Sequence, residues 1–201
     1  VSGGEVRRPD GQYRDAHGEV RFGPAPALDF ELELAALIGR GNPLTQPVPV
    51  DAARDHIFGY CLLNDWSAKS IQWFEQVLGP FLGKSFHSSV SPWIVTGEAL
   101  APFRKPAAPR GAGDPAILPH LHGALDQASG GLDLELEAFL STARLREAGA
   151  APVRITQTHL DNLYWTFAQM VAHHTSNGCN LRTGDLRGSG TCGGLSCETR
   201  T

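Results

Sequence analysis

The chain has 201 residues and a formal net charge of −4, with 41% hydrophobic and 19% charged residues. This length suits one domain, or one domain with a small appendage, and allows a core to be buried without disulfide bonds. The weakly acidic balance excludes a basic surface for nucleic acid or an anionic membrane, and no apolar run is long enough to span a bilayer. Four cysteines without a C-x-x-C pair indicate reduced thiols, which predicts a cytoplasmic protein.

The first half of the chain predicts strands separated by loops. Residues 1–27 are rich in Gly, Pro and Arg, as loops are. Leu28 to Leu34 alternates apolar and acidic side chains, which is typical of a strand. Ile57 to Leu63 is a nearly continuous apolar run, which predicts a strand buried on both faces. The segments that follow predict a helix over Ser67 to Gln76, a loop over Leu78 to Phe86 and a short strand over Ser91 to Val95.

The second half predicts one more strand and one long helix. Residues 101–131 hold many prolines and glycines and predict a surface excursion. Leu132 to Leu140 alternates like a strand. The run from Thr158 to Asp161 resembles a capping box, and apolar residues then recur at helical spacing up to a stop at Asn177-Gly178. The fold class predicted from this pattern is α+β, β-rich.

The acidic residues of the first strand are candidate metal ligands. Asp29, Glu31 and Glu33 alternate with leucine and phenylalanine, so they share one face of the strand. Two glutamates about 6.5–7 Å apart can lean onto one cation, and an oxygen-only set favours Mg²⁺, Ca²⁺ or Mn²⁺. A solvated acidic face is the alternative. We assign that alternative to the similar run Asp133-Leu134-Glu135-Leu136-Glu137.

A third carboxylate follows the buried strand. Asn64-Asp65 comes directly after Leu63, where the chain has left the core without reaching open water. Asp65 is therefore the candidate for a third ligand, and a helix cap is the alternative role.

Several stretches, in this order and spacing, resemble the catalytic domain of the fumarylacetoacetase family. Each stretch alone is moderate evidence, and the acidic strand and the Asn-Asp turn also occur in acylpyruvate-type hydrolases and isomerases. The stretches are LDFELELA (28–35), NDWSAKSIQ (64–72), LGPFLGKSF (78–86), SPWIV (91–95) and YWTFAQMVAHHTSNGCNLRTGDLRGSGT (164–191).

The resemblance implies a mixed β-roll or sandwich fold with one long helix, and a site that holds Mg²⁺ and/or Ca²⁺. It implies a small diketo acid as substrate and a homodimer for the complete protein, with no nucleic-acid or membrane partner. The residues implied are Glu31, Glu33 and Asp65 as metal ligands, Lys84 and Ser88 with Asp65 near a second cation, Lys84 and Gln72 in catalysis, and Gln72 and Thr191 on the substrate.

The sequence departs from the family pattern at both ends. A fourth carboxylate, a general-base His and a substrate Arg are expected before Val1, and the Glu that orients the His is expected beyond Thr201. The family's substrate Tyr near Glu75 is missing. Residues 192–201 diverge from the pattern, so we predict a partial catalytic domain over 1–191 and a divergent tail.

The resulting hypothesis is a hydrolase that cleaves the carbon–carbon bond of fumarylacetoacetate to fumarate and acetoacetate, the last step of tyrosine and phenylalanine degradation. The chain as given is expected to be inactive or impaired, because a placed base contributes about 10²–10⁴-fold to such a reaction. Two alternatives stay open, a non-catalytic metal-binding remnant and a related acylpyruvate-type hydrolase. The histidines present, including His87, His173 and His174, are interpreted as structural or incidental.

Overall fold

The structure, a computed structural model, describes residues 2–77, 79 and 81–193. Strands outnumber helices among these residues, so the predicted β-rich α+β class is confirmed. The strands are β1 (Asp10–Arg14), β2 (Val20–Pro24), β3 (Leu32–Ile38), β4 (Ile57–Asp65), β5 (Ser88–Val90), β6 (Val95–Thr96), β7 (Arg104–Lys105), β8 (Gly131–Leu132), β9 (Glu135–Leu140), β10 (Val153–His159) and β11 (Leu186–Gly188). The α-helices are α1 (Lys69–Glu75), α2 (Ala124–Ser129), α3 (Ala143–Glu147) and α4 (Phe167–Thr175).

A five-stranded antiparallel sheet forms the centre of the fold. Its strands run in the order β11-β3-β4-β5, and β6 pairs with the other end of β4. The pairs β1–β2, β7–β8 and β9–β10 form separate two-stranded ribbons. In the central pair, Leu32 lies opposite Asn64 and Leu34 opposite Leu62. This register sets which side chains meet at the end of β4.

The main core lies on one face of the central sheet. Leu34 and Ala36 of β3 and Tyr60 of β4 pack there against Leu136 of β9 and Phe167 of α4. The rings of Tyr60 and Phe167 meet edge to face with centroids 5.1 Å apart, a favoured aromatic geometry. The opposite face carries a smaller cluster of Ala35, Cys61 and Leu63, with Val90 packed against it.

Two strand predictions need correction. The ladder begins at Leu32 rather than Leu28, because upstream of it only Asp29 forms an isolated bridge, to Ser67. The second strand is present as β4 but is not buried on both faces, since Phe58 is 52% and Leu62 51% exposed. The continuous apolar run therefore overstated how much of this strand is buried.

The prediction that a long helix begins at Thr158 is also wrong. Residues Val153–His159 form β10, which pairs with β9, and Thr156 and Thr158 are buried in that ribbon. The helix α4 begins eight residues later and has nine residues. Its cap is Thr166, whose side chain accepts from the Gln169 N–H while Gln169 bonds back to the Thr166 N–H. The predicted stop is confirmed, because Gly178 takes a φ of +90° after the helix.

Three smaller predictions are corrected by the structure. The segment 101–131 is not only a surface excursion, because Leu121 and Asp126 are buried. The strand predicted over Ser91 to Val95 is replaced by β5 and β6, which flank most of it. The alternating segment from Leu132 is confirmed as strand, with a break between β8 and β9.

The predicted tail lies mostly outside the described residues, which stop at 193. Its first residue, Cys192, is buried in the main core and donates its N–H to the Leu32 carbonyl at 2.9 Å. The boundary placed after Thr191 stays a prediction. Across the described residues, no helix is long and apolar enough to cross a membrane.

Candidate metal centre and active site

Three carboxylates meet at the end of the central sheet. One ligand oxygen from each of Glu31, Glu33 and Asp65 can be chosen so that all three lie within 4.8 Å of one another. The predicted convergence of these side chains is therefore confirmed. Glu33 is 3% exposed, and Glu31 is nearly as buried.

Strand register explains why these residues meet. The Asp65 N–H donates to the Glu31 carbonyl at 3.1 Å, which continues the β3–β4 pairing by one residue. Asp65 also pairs with Ser88 of β5. Glu31, Asp65 and Ser88 thus form a row across the sheet, and residues in such a row have Cβ atoms about 4.5–5.5 Å apart. Glu33 lies two residues along on the same face, opposite Leu63.

Two lysine ammonium groups balance this acidic row. Lys84 Nζ donates to Glu31 Oε2 at 2.5 Å and to Asp65 Oδ2 at 3.1 Å. Lys69 Nζ donates to the other Glu31 oxygen at 2.8 Å and lies 3.7 Å from Asp29. Glu31 therefore receives an ammonium on each oxygen, while Glu33 receives neither.

The pKa values follow this uneven distribution of charge. Burial acts to raise the pKa of Glu31, but the hydrogen bonds from Lys69 and Lys84 hold it below its usual value. Burial acts to lower the pKa of Lys84, but Glu31 and Asp65 raise it overall, so the group stays an ammonium. Burial, with the like charges of Asp65 and Glu31, raises the pKa of Glu33 to about 7. Glu33 is thus the carboxyl group of the site that no described ammonium contacts, and the more distant charge of Lys84 only partly offsets the rise.

The loop that carries Lys84 is held by a carboxylate at the end of α1. Glu75 accepts the N–H groups of Phe81, Leu82 and Gly83 at 2.7, 3.2 and 2.7 Å. A Cβ on Gly83 would lie 2.8 Å from the backbone nitrogen of Gln72, so the loop packs tightly on the helix. These contacts fix the backbone immediately before Lys84.

Glycines of the C-terminal segment surround Glu33. The Gly190 N–H donates to Glu33 Oε2 at 3.1 Å. A Cβ on Gly188 would lie 2.5 Å from the same oxygen and 3.0 Å from Leu63 Cδ2. Gly188 pairs with Ala35 in the sheet and Leu63 is buried, so the Glu33 carboxylate is the group that a Cβ would displace. The absence of a side chain at Gly188 leaves room for the carboxylate.

We expect Gly188→Ala to weaken divalent-cation binding by displacing the Glu33 carboxylate. Changes around a metal site typically cost roughly 10–100-fold in affinity, and a loss in that range is expected. The measurement is the rise in melting temperature with added Mg²⁺ or Ca²⁺. Gly23→Ala in β2 is the matched control, because a Cβ there meets nothing within 4 Å. Equal cation responses from the two variants would contradict this account of Glu33.

Among the remaining site residues predicted from sequence, Ser88 is the one whose side chain has a described contact with the row. Ser88 Oγ is 3.5 Å from Asp65 Oδ1. Gln72 is on α1, and its buried Oε1 has no hydrogen-bond partner among the described residues. Thr191 follows Gly190, whose N–H reaches Glu33. His87 follows the Lys84 loop with a buried Nε2 that likewise has no partner in the described part of the chain.

Sequence reasoning missed two residues of this site. Lys69 was not singled out, although it begins α1 four residues after Asp65 and reaches Glu31. Glu75 was considered only as a position near a missing tyrosine, whereas it anchors the Lys84 loop. A lysine just after the acidic turn is a weak signal for the first. Nothing local in the sequence indicates the second.

The acidic side chains of the second acidic run, from Asp133 to Glu137, are solvent-exposed as predicted. Asp133, Glu135 and Glu137 are all exposed. Glu137 pairs with Arg154 across the ribbon, and Asp133 lies near Lys105 and His159. The same alternation of leucine and acid thus gives a solvated face in β9 and a buried carboxylate group next to β4.

The residues present fit a divalent cation. Every candidate ligand atom is a carboxylate or hydroxyl oxygen, the donors that Mg²⁺ and Ca²⁺ prefer. The raised pKa of Glu33 also fits a cation. It reflects burial and the repulsion of neighbouring carboxylates, which a cation between them would relieve. Three converging carboxylates are an arrangement that can hold one divalent cation, and a cation held in this way can act as a Lewis acid.

Fold and site together define a β-rich α+β protein with a carboxylate site suited to a divalent cation. The sequence comparisons agree with this class. The family described as fumarylacetoacetate (FAA) hydrolase C-terminal matches residues 1–200. The chain belongs to this family. The fumarylacetoacetase of Arabidopsis thaliana is 48% identical over 196 residues, which cover 96% of this chain and 44% of the plant protein. The fumarylacetoacetase of Homo sapiens is 44% identical over 196 residues, with the same two coverages of 96% and 44%. The chain thus spans less than half the length of these relatives.

Solved structures show the same fold at lower identity. A 5-carboxymethyl-2-hydroxymuconate delta-isomerase from Mycobacterium smegmatis has a TM-score of 0.54 at 18% identity, over 91% of this chain and 65% of that one. A fumarylacetoacetate hydrolase from Exiguobacterium antarcticum has a TM-score of 0.51 at 20% identity, over 91% of this chain and 49% of that one. These likenesses bear on the fold alone.

Proposed function

We propose that this chain is the cation-binding part of a hydrolase that cleaves the carbon–carbon bond of fumarylacetoacetate to give fumarate and acetoacetate. The observation that carries the proposal is the row of Glu31, Asp65 and Ser88, with Glu33 beside it and Lys84 in contact with two of its carboxylates. The relatives called fumarylacetoacetase, 42–48% identical to this chain, support this substrate.

Glu31, Glu33 and Asp65 would hold the cation, Mg²⁺ or Ca²⁺. A divalent cation at this place supplies Lewis-acid stabilisation of the negative charge that develops on a diketone oxygen. Ser88 would contribute its hydroxyl through Asp65, which it contacts at 3.5 Å. A charged ammonium has no lone pair, so the side chain of Lys84 lies beside a cation rather than ligating it.

The other residues of the site act on the substrate. Cleavage of the carbon–carbon bond leaves an enolate, and the Lys84 ammonium places fixed positive charge beside it. Lys69 adds a second ammonium on the far side of Glu31. Gln72, whose buried Oε1 has no hydrogen-bond partner among the described residues, and Thr191 are assigned to holding the substrate. The general-base His and its Glu partner are expected in the portion of the relatives' length that this chain does not span.

Two alternatives make different predictions. A non-catalytic remnant would bind a cation, yet no extension of the chain along its native gene would yield hydrolysis. An acylpyruvate-type hydrolase would prefer a short acylpyruvate over fumarylacetoacetate. The chain is 48% identical to a fumarylacetoacetase but only 18% identical to the isomerase of known structure. This difference favours fumarylacetoacetate as the substrate.

The test compares this chain with one extended to the length of the relatives. We expect the extended chain to remove the diketone absorbance of fumarylacetoacetate with added Mg²⁺ or Ca²⁺. The chain as given should be slower by about 10²–10⁴-fold, the usual contribution of a placed base. Inactivity of the extended chain, or preference for an acylpyruvate, would overturn the proposed substrate.

Acid-to-amide changes on the two similar strands provide an internal comparison. Glu31→Gln with Asp65→Asn should lower cation affinity by at least roughly 10–100-fold, because two ligands lose their charge. The triple change Asp133→Asn, Glu135→Gln and Glu137→Gln removes more charge, yet it should leave affinity nearly unchanged, since those groups are solvated. Calorimetric titration with Ca²⁺ measures both. A large loss in the triple variant would show that the wrong strand had been chosen.

A further inference from the structure

A cysteine, a histidine and an arginine meet at the far end of α4. The helix ends at Thr175, and Gly178 turns the chain back with a φ of +90°. This turn brings Cys179 Sγ to 3.6 Å from Nε2 of His174, within range of a sulfur hydrogen bond. Arg187 of β11 is close enough for its charge to influence His174. None of the three belongs to the carboxylate row.

The loop that presents Cys179 is firmly held. Asn42 donates through Nδ2 to the Cys179 carbonyl at 3.4 Å and accepts the Leu181 N–H at 2.7 Å. The Thr45 N–H donates to the Gly178 carbonyl at 2.8 Å. The contact between Sγ and the imidazole is therefore fixed by backbone on both sides of the cysteine.

The His174 imidazole is the group in contact with the thiol that can take up its proton. Burial, and next the charge of Arg187, lower the pKa of His174, while Asp185 opposes them and His173 adds to them. The imidazole is thus neutral at neutral pH and able to accept a proton. The Arg187 guanidinium is close enough to Cys179 for the two groups to interact electrostatically, and its Nε is buried without a hydrogen-bond partner in the described part of the chain. A positive charge at this place attracts an anionic reagent to the thiol.

The other described cysteines provide the contrast. Cys61 is 5% exposed and Cys192 is fully buried, and burial raises the pKa of both thiols. Cys179 is partly exposed and has the imidazole contact that they lack. Reactivity among these three should therefore concentrate at Cys179.

We propose that Cys179 is a modification site that exchanges with anionic low-molecular-weight disulfides, with His174 as the proton acceptor and Arg187 as the group that attracts the reagent. The Cys179 thiol gives its proton to His174 Nε2, and the thiolate attacks one sulfur of the disulfide. A new sulfur–sulfur bond forms as the old one breaks, and the leaving thiolate takes the proton from His174. One small-molecule thiol is released for each mixed disulfide formed.

The test uses two small disulfides of opposite charge, glutathione disulfide and cystamine, on the intact chain. We expect glutathione disulfide to modify Cys179 at least about tenfold faster than Cys61 or Cys192, as mapped by peptide mass spectrometry, which also separates Cys197. Arg187→Gln should slow the anionic reagent by roughly tenfold and leave cystamine unchanged or faster, because only the charge is altered. Arg187→Lys should restore much of the anionic rate.

His174→Gln should slow both reagents alike, since it removes the proton acceptor without regard to reagent charge. Cys179→Ser should abolish the modification and serves as the blank. Modification spread evenly over the cysteines, or an Arg187→Gln variant that slows both reagents equally, would overturn the proposal. The unfolding transition of each variant, measured in parallel, shows whether altered rates come from loss of the fold, in which case Cys61 and Cys192 would also react.

Discussion

Glu33→Gln should remove the pH dependence of stability that the buried carboxyl group imposes on the metal-free chain. The folded pKa of Glu33 is about 7 against an ordinary value of 4.5. The unfolded chain therefore releases this proton at lower pH than the folded chain does. Stability is unaffected below the ordinary value, is lost as pH rises from there towards about 7, and stays low above it. A glutamine at this position does not titrate, so the variant escapes the loss.

The expected size is large for one side chain. Between about pH 5 and about pH 8, the free energy of unfolding of the variant should gain roughly 2 kcal/mol on that of the original chain, since most of the transition falls in this window. Urea unfolding in a chelator, at several pH values, measures the difference. Glu137→Gln is the matched control, because Glu137 is exposed and paired with Arg154 at the surface. A difference that does not change with pH would contradict the raised pKa.

Added cation should invert the ranking of the two chains. A divalent cation favours the ionised Glu33 and therefore stabilises the original chain most at about pH 8, where no proton has to leave. The variant lacks this ligand and should gain little. The original chain is thus expected to be the less stable without cation and the more stable with it. If added cation stabilised the two chains equally, Glu33 would not be a ligand.

The sequence predicted the carboxylates of the site better than the secondary structure around them. Glu31 and Glu33 share a face for any extended backbone, so their pairing did not require the ladder to begin at Leu28. Asp65 follows from the apolar run before it, because that run identifies β4 whatever its partners are. These inferences depend on the alternation of side chains along a strand, which is local.

What could not be predicted depends on contacts distant in sequence. The carboxylate of Glu75 binds the backbone of a loop, which leaves no pattern in side-chain order. The space that Gly188 leaves for Glu33 joins positions far apart in the chain. The error at Thr158 has a different origin, because β-branched residues of β10 could have been weighed against a weak capping signal. The true box at Thr166 and Gln169 was also present in the sequence.

Lys84→Met should lower kcat of the chain extended to the relatives' length by about 10²–10³-fold, with a much smaller change in KM. The ammonium lies 2.5 Å from Glu31 and 3.1 Å from Asp65, so it is fixed before the substrate arrives. Charge that is already in place stabilises an enolate as it forms, but the less charged ground state gains little from it. The effect therefore falls on the chemical step rather than on substrate binding.

Cation binding distinguishes this role from a structural one. Removing the ammonium makes the carboxylate group more negative, so Lys84→Met should bind Ca²⁺ at least as tightly as the original chain does. Methionine keeps most of the length and packing of the side chain. If Lys84 only held Glu31 and Asp65 in place, its loss would let them separate, and kcat and cation affinity would fall together. Kinetics at saturating Ca²⁺, with Ca²⁺ titration of the same preparation, decide between the two, and Lys105→Met, which removes a surface ammonium paired with Asp161, is the control.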